Sequence, residues 1–339
     1  MKAWQIGKQD GIGSLRLGEA KDPETLAGHA VIKVHASALN HRDLMIAAKK
    51  YGATVRPDTR IPLSDGAGEV IAVGAGVTNV KVGDRVVANM FAQWVDGPWV
   101  PGLFSADYGN TIDGWGAERL LAPAASLAKV PDHLSWEEAA TLASAGVTAW
   151  NNLYPLGKMK AGDTVLVLGT GGVSIWGLQL AKAGGAKVIV TSSSDDKLAR
   201  VKALGADVGI NYKTNPDWDK AVLEATGGAG ADIVVETVGT GTLTKSLNAA
   251  AFNGRIGLIG GLESGQPQIF ALVAKNLHLF GITVGSVKML KDMLACVAAT
   301  KIKPVVDKVF AFADMSDAYK YLDGAEHIGK VVISHLGSE

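Results

Sequence analysis

The chain has 339 residues, 47% of them hydrophobic and 19% charged, with 33 Lys plus Arg against 33 Asp plus Glu. That length accommodates two domains with a sizeable core, and a net charge of zero without a dense basic cluster argues against nucleic acid or an anionic membrane as the main partner. Cys296 is the sole cysteine, which rules out an intrachain disulfide and a multi-cysteine metal site. No apolar run approaches the roughly 18 residues of a membrane span. The opening Met1-Lys2-Ala3-Trp4 lacks the apolar core of a secretory signal, so a cytoplasmic location is expected.

In chain order, residues 1–128 carry short apolar segments set apart by glycines: Ala30 to Ala36, Gly68 to Gly74 and Gly83 to Ala88. These predict the antiparallel strands of a barrel-like β domain. Residues 129–287 alternate strand and helix. The apolar run Val165 to Leu168 breaks at Gly169-Thr170-Gly171-Gly172 and resumes from Ile175 to Lys182 with apolar residues at helical spacing. Further strands are expected at Lys187 to Thr191, Val208 to Asn211, Ile233 to Glu236, Arg255 to Ile259 and Leu277 to Thr283. Six strands with helical intervals predict an α/β fold, a doubly wound parallel sheet of Rossmann type. Residues 288–339 begin with a helical run, Met289 to Lys301. Short strands follow at Val305 to Phe312 and Lys330 to Ser334, around a helix from Ser316 to Asp323, as suits a segment folded back onto the first domain.

Strand, glycine turn, helix and second strand in this order are what a dinucleotide site requires. The glycines turn the chain, let backbone approach a pyrophosphate, and aim a helix N-terminus at its charge. Gly169, Gly171, Gly172 and Val173 are therefore candidate cofactor contacts, with Ser174 where the fingerprint has its third glycine. An NAD site places an Asp or Glu about 20 residues past the first glycine. Here that point falls on Thr191, Ser192, Ser193 and Ser194. A carboxylate would repel a 2′-phosphate, whereas hydroxyls and N–H groups accept one. Together with Lys197 on the next helix and Tyr212 after the third strand, this favours NADPH. A solvated lysine and a half-buried strand end remain the plainer readings of those two residues taken singly. Asp195 and Asp196 lie past the turn, where acids serve a helix N-terminus.

Four landmarks, Ala38 to Asp43, Asp65 to Val70 running into Val80 to Arg85, Ala145 to Trp150 and Gly169 to Val173, resemble the medium-chain dehydrogenase/reductase superfamily over essentially the whole chain. The resemblance implies a GroES-like β-barrel first domain, a Rossmann second domain and a C-terminal return to the first. Zinc-dependent members hold a catalytic zinc through two cysteines and a His-Glu pair. By motif those positions become Asn40, Ser64, Asp65 and Ser144, of which Asp65 alone ligates zinc well. The structural-zinc lobe is also missing between Val87 and Gly116. No metal is expected, and the match is closest to the zinc-free, quinone oxidoreductase-like branch. There the resemblance implies Asn40 and Asp43 near the nicotinamide, and Ser193, Lys197 and Tyr212 at the 2′-phosphate. It also implies Thr148 at the nicotinamide end, Thr237 and Val238 beneath the adenosine or its ribose, Gly260, Gly261 and Val284 as backbone contacts to the carboxamide, and Lys330 at a cofactor phosphate.

Without a Lewis acid, an acceptor that delocalises incoming charge onto its own oxygen is the more plausible partner, a quinone or an α,β-unsaturated carbonyl. Asn40 is the first candidate donor to that oxygen, Tyr51 a candidate proton donor, and Asp65 a group to orient a water or Arg42. The plainer alternatives are Asn40 as a turn former, Asp43 and Arg42 as an ion pair, and Tyr51 as packing. The aromatic stretch Phe91, Trp94, Trp99, Phe104, Tyr108 and Trp115 reads as a wall for a hydrophobic acceptor or as a self-packed loop. An alcohol dehydrogenase and a non-catalytic NADPH-binding protein are the competing functions. The last strand at the sheet edge predicts a homodimer.

Overall fold

The computed structural model describes residues 1–336 and divides into two compact units: Met1–Val147 with the chain from Ser286 onward, and Thr148–Gly285. In the first unit β1 (Lys2–Gln5) and β2 (Arg16–Glu19) form a separate antiparallel ribbon. The main sheet has seven strands. From the N-terminal part come β3 (His29–Ala38), β4 (Asp65–Val73), β5 (Arg85–Ala88), β6 (Arg119–Pro123) and β7 (Leu127–Lys129).

The second unit contributes β8 (Thr164–Leu168), β9 (Lys187–Ser192), β10 (Val208–Asn211), β11 (Ala231–Glu236), β12 (Ala250–Leu258) and β13 (His278–Gly281). All are parallel, in the order β10-β9-β8-β11-β12-β13. The order reverses between β8 and β11, the switch point at which doubly wound sheets bind ligands beyond the carboxyl ends of their strands. Their apolar runs face both ways because both faces are covered: Leu166, Ile189, Val234 and Ile256 enter one core cluster, and Ile175, Trp176, Leu178 and Leu180 of the helix Gly172–Ala183 are buried as well.

The chain then returns to the first unit through β14 (Val306–Ala311) and β15 (Lys330–Ser334), giving the order β14-β15-β3-β4-β5-β7 with β6 on the other side of part of β3. β15 pairs antiparallel with β3, setting Val332 opposite Ala38. The two stretches share one core: Ile32, Val34, Val70, Val86 and Leu120 pack with Phe312, Met315, Tyr319, Val331 and Ile333.

The unit boundary lies later than position 129. Lys129 still pairs with Val86 of β5. Beyond it, Trp136 stacks on His35 of β3 at 4.4 Å and lies beneath the Arg85 guanidinium at 4.3 Å, so residues 129–147 belong to the first unit. At the other end the boundary, between Gly285 and Ser286, falls close to the expected 287.

Candidate functional site

In the second unit the helix α1 (Gly172–Ala183) starts directly from the glycine turn. Gly169 has φ +73°, a conformation open to glycine at no steric cost, and its N–H donates to Thr191 O at 3.0 Å, tying the turn to the end of β9. Ser174 is buried and donates to Leu168 O at 2.7 Å. Thr237 donates to the same carbonyl at 2.7 Å, so Ser174 serves the turn itself. Gly171 precedes the helix, and Gly172 and Val173 form its first turn, half-buried. An anion at this place meets helix N–H groups and the positive end of the helix dipole.

The proposed 2′-phosphate residues lie together at the ends of β9 and β10. Ser192 ends β9 and is buried; Ser193 follows, half-buried. Tyr212 comes directly after β10, and its N–H donates to Ser192 O at 3.0 Å. Ser194 caps the helix α2 (Asp195–Ala203), accepting from Lys197 N at 3.4 Å, which puts Lys197 in the first turn. Asp195 accepts from the Asn211 side chain at 2.8 Å, so this acid joins a helix start to β10.

At the switch point Thr237, Val238 and Gly239 form a tight loop after β11. Glu236, fully buried, shapes it: one carboxylate oxygen accepts from Val238 N at 2.9 Å, Gly239 N at 3.1 Å and Thr242 Oγ1 at 2.9 Å, while Ser246 donates to the other. Gly260 backs onto this loop so closely that a Cβ there would stand 1.9 Å from Thr237 O, and Gly261 follows in open space. Thr148 and Val284 are both buried. Val284 has φ +145°, unusual for a β-branched residue, and its carbonyl accepts from Asn151 Nδ2 at 2.7 Å. Glu236 and Asn151 escaped the sequence reading. A lone acid ending a strand and an Asn in an apolar helix carry no motif.

In the first unit Asn40 lies between β3 and a seven-residue helix, His41–Ala47. Its backbone N–H donates to Asp43 Oδ2 at 2.7 Å. Its side chain looks inward: Nδ2 donates to Asp65 Oδ2 at 3.0 Å and Ser64 Oγ at 3.3 Å, and Oδ1 accepts from Lys330 Nζ at 2.5 Å. Both amide protons are thereby used, so Asn40 is a bridge within this cluster rather than a free donor to an acceptor oxygen. Lys330 is turned inward as well. The residue is 3% exposed, and its ammonium donates to Leu39 O at 2.6 Å, Asn40 Oδ1, and Asp65 Oδ2 at 3.4 Å. Three donors with three partners in its own unit leave none for a cofactor phosphate. Burial lowers the Lys330 pKa against the pull of Asp65, and burial raises Asp65 against the pull of Lys330. Asp43, also buried, is pushed up to about 6 by burial, which outweighs Arg42.

Arg42 pairs with neither Asp43 nor Asp65. Its Nη2 lies 2.6 Å from buried Asp107, and Asn110 joins the same carboxylate oxygen at 2.7 Å. Arg56 reaches Asn110 and the Tyr51 carbonyl, and the Tyr51 ring packs 4.6 Å beneath the Arg42 guanidinium. Tyr51 thus anchors to a buried charged network. The aromatic stretch packs on itself: Trp99 lies 4.7 Å from Phe91, 4.9 Å from Trp94 and 5.0 Å from Phe104, ring centre to centre. Tyr108 and Trp115 are fully buried.

Comparison with known proteins accounts for both units. Residues 26–132 match the alcohol dehydrogenase GroES-like domain, and residues 172–299 match the zinc-binding dehydrogenase family. A zinc-type alcohol dehydrogenase-like protein of Schizosaccharomyces pombe is 42% identical over 332 residues, covering 95% of this chain and 96% of that protein. The chain belongs to the medium-chain dehydrogenase/reductase superfamily. Two solved structures align along nearly all of it. An NAD-dependent alcohol dehydrogenase is 34% identical with TM-score 0.88, covering 98% of this chain and 99% of that one. A 2-octenoyl-CoA carboxylase reductase, solved with NADP and 2-octenoyl-CoA, is 25% identical with TM-score 0.86, covering 100% and 88%.

Membership raises the question of zinc, and the donor set does not suit it. Asn40, Ser64 and Ser144 offer neither thiolate nor imidazole, and Ser144 donates to Met90 Sδ at 3.6 Å. Asp65, the one carboxylate of the four, already has an ammonium beside it. Among the described residues no group of three His, Cys, Asp or Glu is placed to hold a metal ion. For a dinucleotide, by contrast, the second unit supplies a glycine turn, a helix N-terminus and hydroxyls where an acid would exclude a 2′-phosphate. Also among the described residues, no helix is long and apolar enough to cross a membrane.

Proposed function

We propose that the protein is a zinc-independent, NADPH-dependent reductase of quinones or α,β-unsaturated carbonyls. The observation that carries this reading is the closed cluster of Lys330, Asp65 and Asn40 at the superfamily's zinc position. A metal there would stabilise an alkoxide. An ammonium held between a buried carboxylate and an amide is poorly suited to that task, so the acceptor must carry its own activation. A carbonyl-conjugated C=C bond or a quinone does, because the negative charge left by hydride addition spreads to oxygen. The relative solved with NADP and 2-octenoyl-CoA, an α,β-unsaturated thioester, supports the same class.

The bound nicotinamide supplies the hydride. This chain's residues hold and orient it: the turn Gly169 to Val173 for the pyrophosphate, Thr237, Val238, Gly260 and Gly261 at the switch point, and Thr148 and Val284 at the nicotinamide end. Ser192, Ser193, Lys197 and Tyr212 receive the 2′-phosphate. The Asn40 amide protons are engaged by Asp65 and Ser64, so Asn40 braces this cluster instead of reaching an acceptor oxygen.

Lys197→Ala tests the cofactor assignment. The variant is expected to lose roughly tenfold in kcat/KM with NADPH, about 1.4 kcal/mol, while NADH is little affected. An equal loss with both, or a wild-type preference for NADH, contradicts it. The 34% identical NAD-dependent alcohol dehydrogenase makes NAD the specific competing reading.

A further inference from the structure

Two consecutive asparagines, Asn151 and Asn152, stand at the start of the second unit, both buried. They lie where a short α-helical stretch, Val147–Asn151, passes into a π-helical one, Asn152–Leu156. Such widened turns concentrate at functional sites. Asn152 donates to Gly257 O at 3.4 Å and Val234 O at 3.5 Å, beneath β11 and β12. Asn151 instead donates at 2.7 Å to Val284 O, three residues beyond β13. Thr148 precedes Asn151 by three positions and so shares its helix face.

Val284 is the informative partner. Its φ of +145° is a backbone state that β-branched side chains rarely adopt, and such strain persists only where surrounding contacts enforce it. It sits beyond the carboxyl end of a strand in the second βαβαβ half, the half that receives the second mononucleotide of a dinucleotide. Two independent features, a strained backbone and a buried amide aimed at its carbonyl, therefore meet at one peptide. We propose that Asn151 is a positioning residue for the nicotinamide half of the cofactor, holding Val284 in the conformation that receives it. This rests on the NADPH reading above.

The test compares two probes on the full chain: NADPH, and 2′,5′-ADP, which lacks the nicotinamide half. Asn151→Ala is expected to weaken NADPH about tenfold and leave 2′,5′-ADP unchanged. Asn151→Asp keeps the shape, removes the donor and is expected to do the same, which covers the case in which the alanine variant does not fold. Adding Val284→Gly to Asn151→Ala should recover part of the NADPH affinity, because glycine reaches positive φ without strain. Parallel loss of both probes, or no loss of either, overturns the proposal. Wild-type protein that binds neither probe contradicts the NADPH reading and takes this inference with it. Wild type that binds both, with the two variants indistinguishable from it, contradicts the inference alone.

Discussion

Lys330 and Asp65 are both closed off from water, and a buried pair of this kind costs most when one partner alone is removed. Lys330→Met leaves the buried Asp65 carboxyl without its ammonium, and is expected to destabilise the protein by about 3 to 5 kcal/mol in urea unfolding. Lys330→Met with Asp65→Leu should recover much of that loss; a double variant as weak as the single one would contradict the pairing. Asp43 and His335 set opposing pH dependences. Asp43 titrates near 6 against 3.8 unfolded, so the folded state holds the extra proton and stability falls as pH rises across that window. His335, buried against Ser37 and pushed down to about 3 by burial and then by His35, does the reverse. Its unfolded form protonates first, so stability falls as pH drops from 6.5 toward 3. The two slopes, each about 1.4 kcal/mol per pH unit, cancel between 3.8 and 6. Asp43→Asn should therefore lose stability on acidification through this range more steeply than wild type. Parallel unfolding-against-pH curves would contradict the assignment.

The loop after β11 depends on Glu236 in the way a helix end depends on its cap. Glu236→Ala strips acceptors from two backbone N–H groups and two hydroxyls, and is expected to cost about 3 kcal/mol or more. It should also weaken NADPH binding, because Thr237 and Val238 lose their support. Unchanged melting and unchanged NADPH affinity would contradict that role. Elements of this kind divide by legibility. The glycine turn, the six parallel strands and the C-terminal return were readable because their signals are local: apolar period, glycine spacing, strand length. The cluster around Lys330 was not, since its hydrogen bonds span 290 residues to Asn40 and 265 to Asp65. Sequence reading put these residues near reactive chemistry, yet the direction of an amide or ammonium is set by tertiary packing. The Arg42 pairing failed for the same reason, its partner Asp107 being 65 positions away.

At the scale of the whole molecule, the edge strand β13 stands at one end of the six-stranded sheet, with Phe270 and Val273 of the preceding segment largely exposed. An uncovered edge beside apolar surface favours pairing with a second copy, and we propose a twofold homodimer through this edge. Sedimentation at micromolar concentration should show it; monomer alone would contradict it. The most direct test of the central claim is NADPH and NADH oxidation by chelator-treated protein against a benzoquinone, an enone, an enal and an aldehyde. The account predicts turnover with NADPH on the quinone or the enone, undiminished by the chelator. Turnover confined to the aldehyde and abolished by chelation, or no turnover with any acceptor, would contradict it.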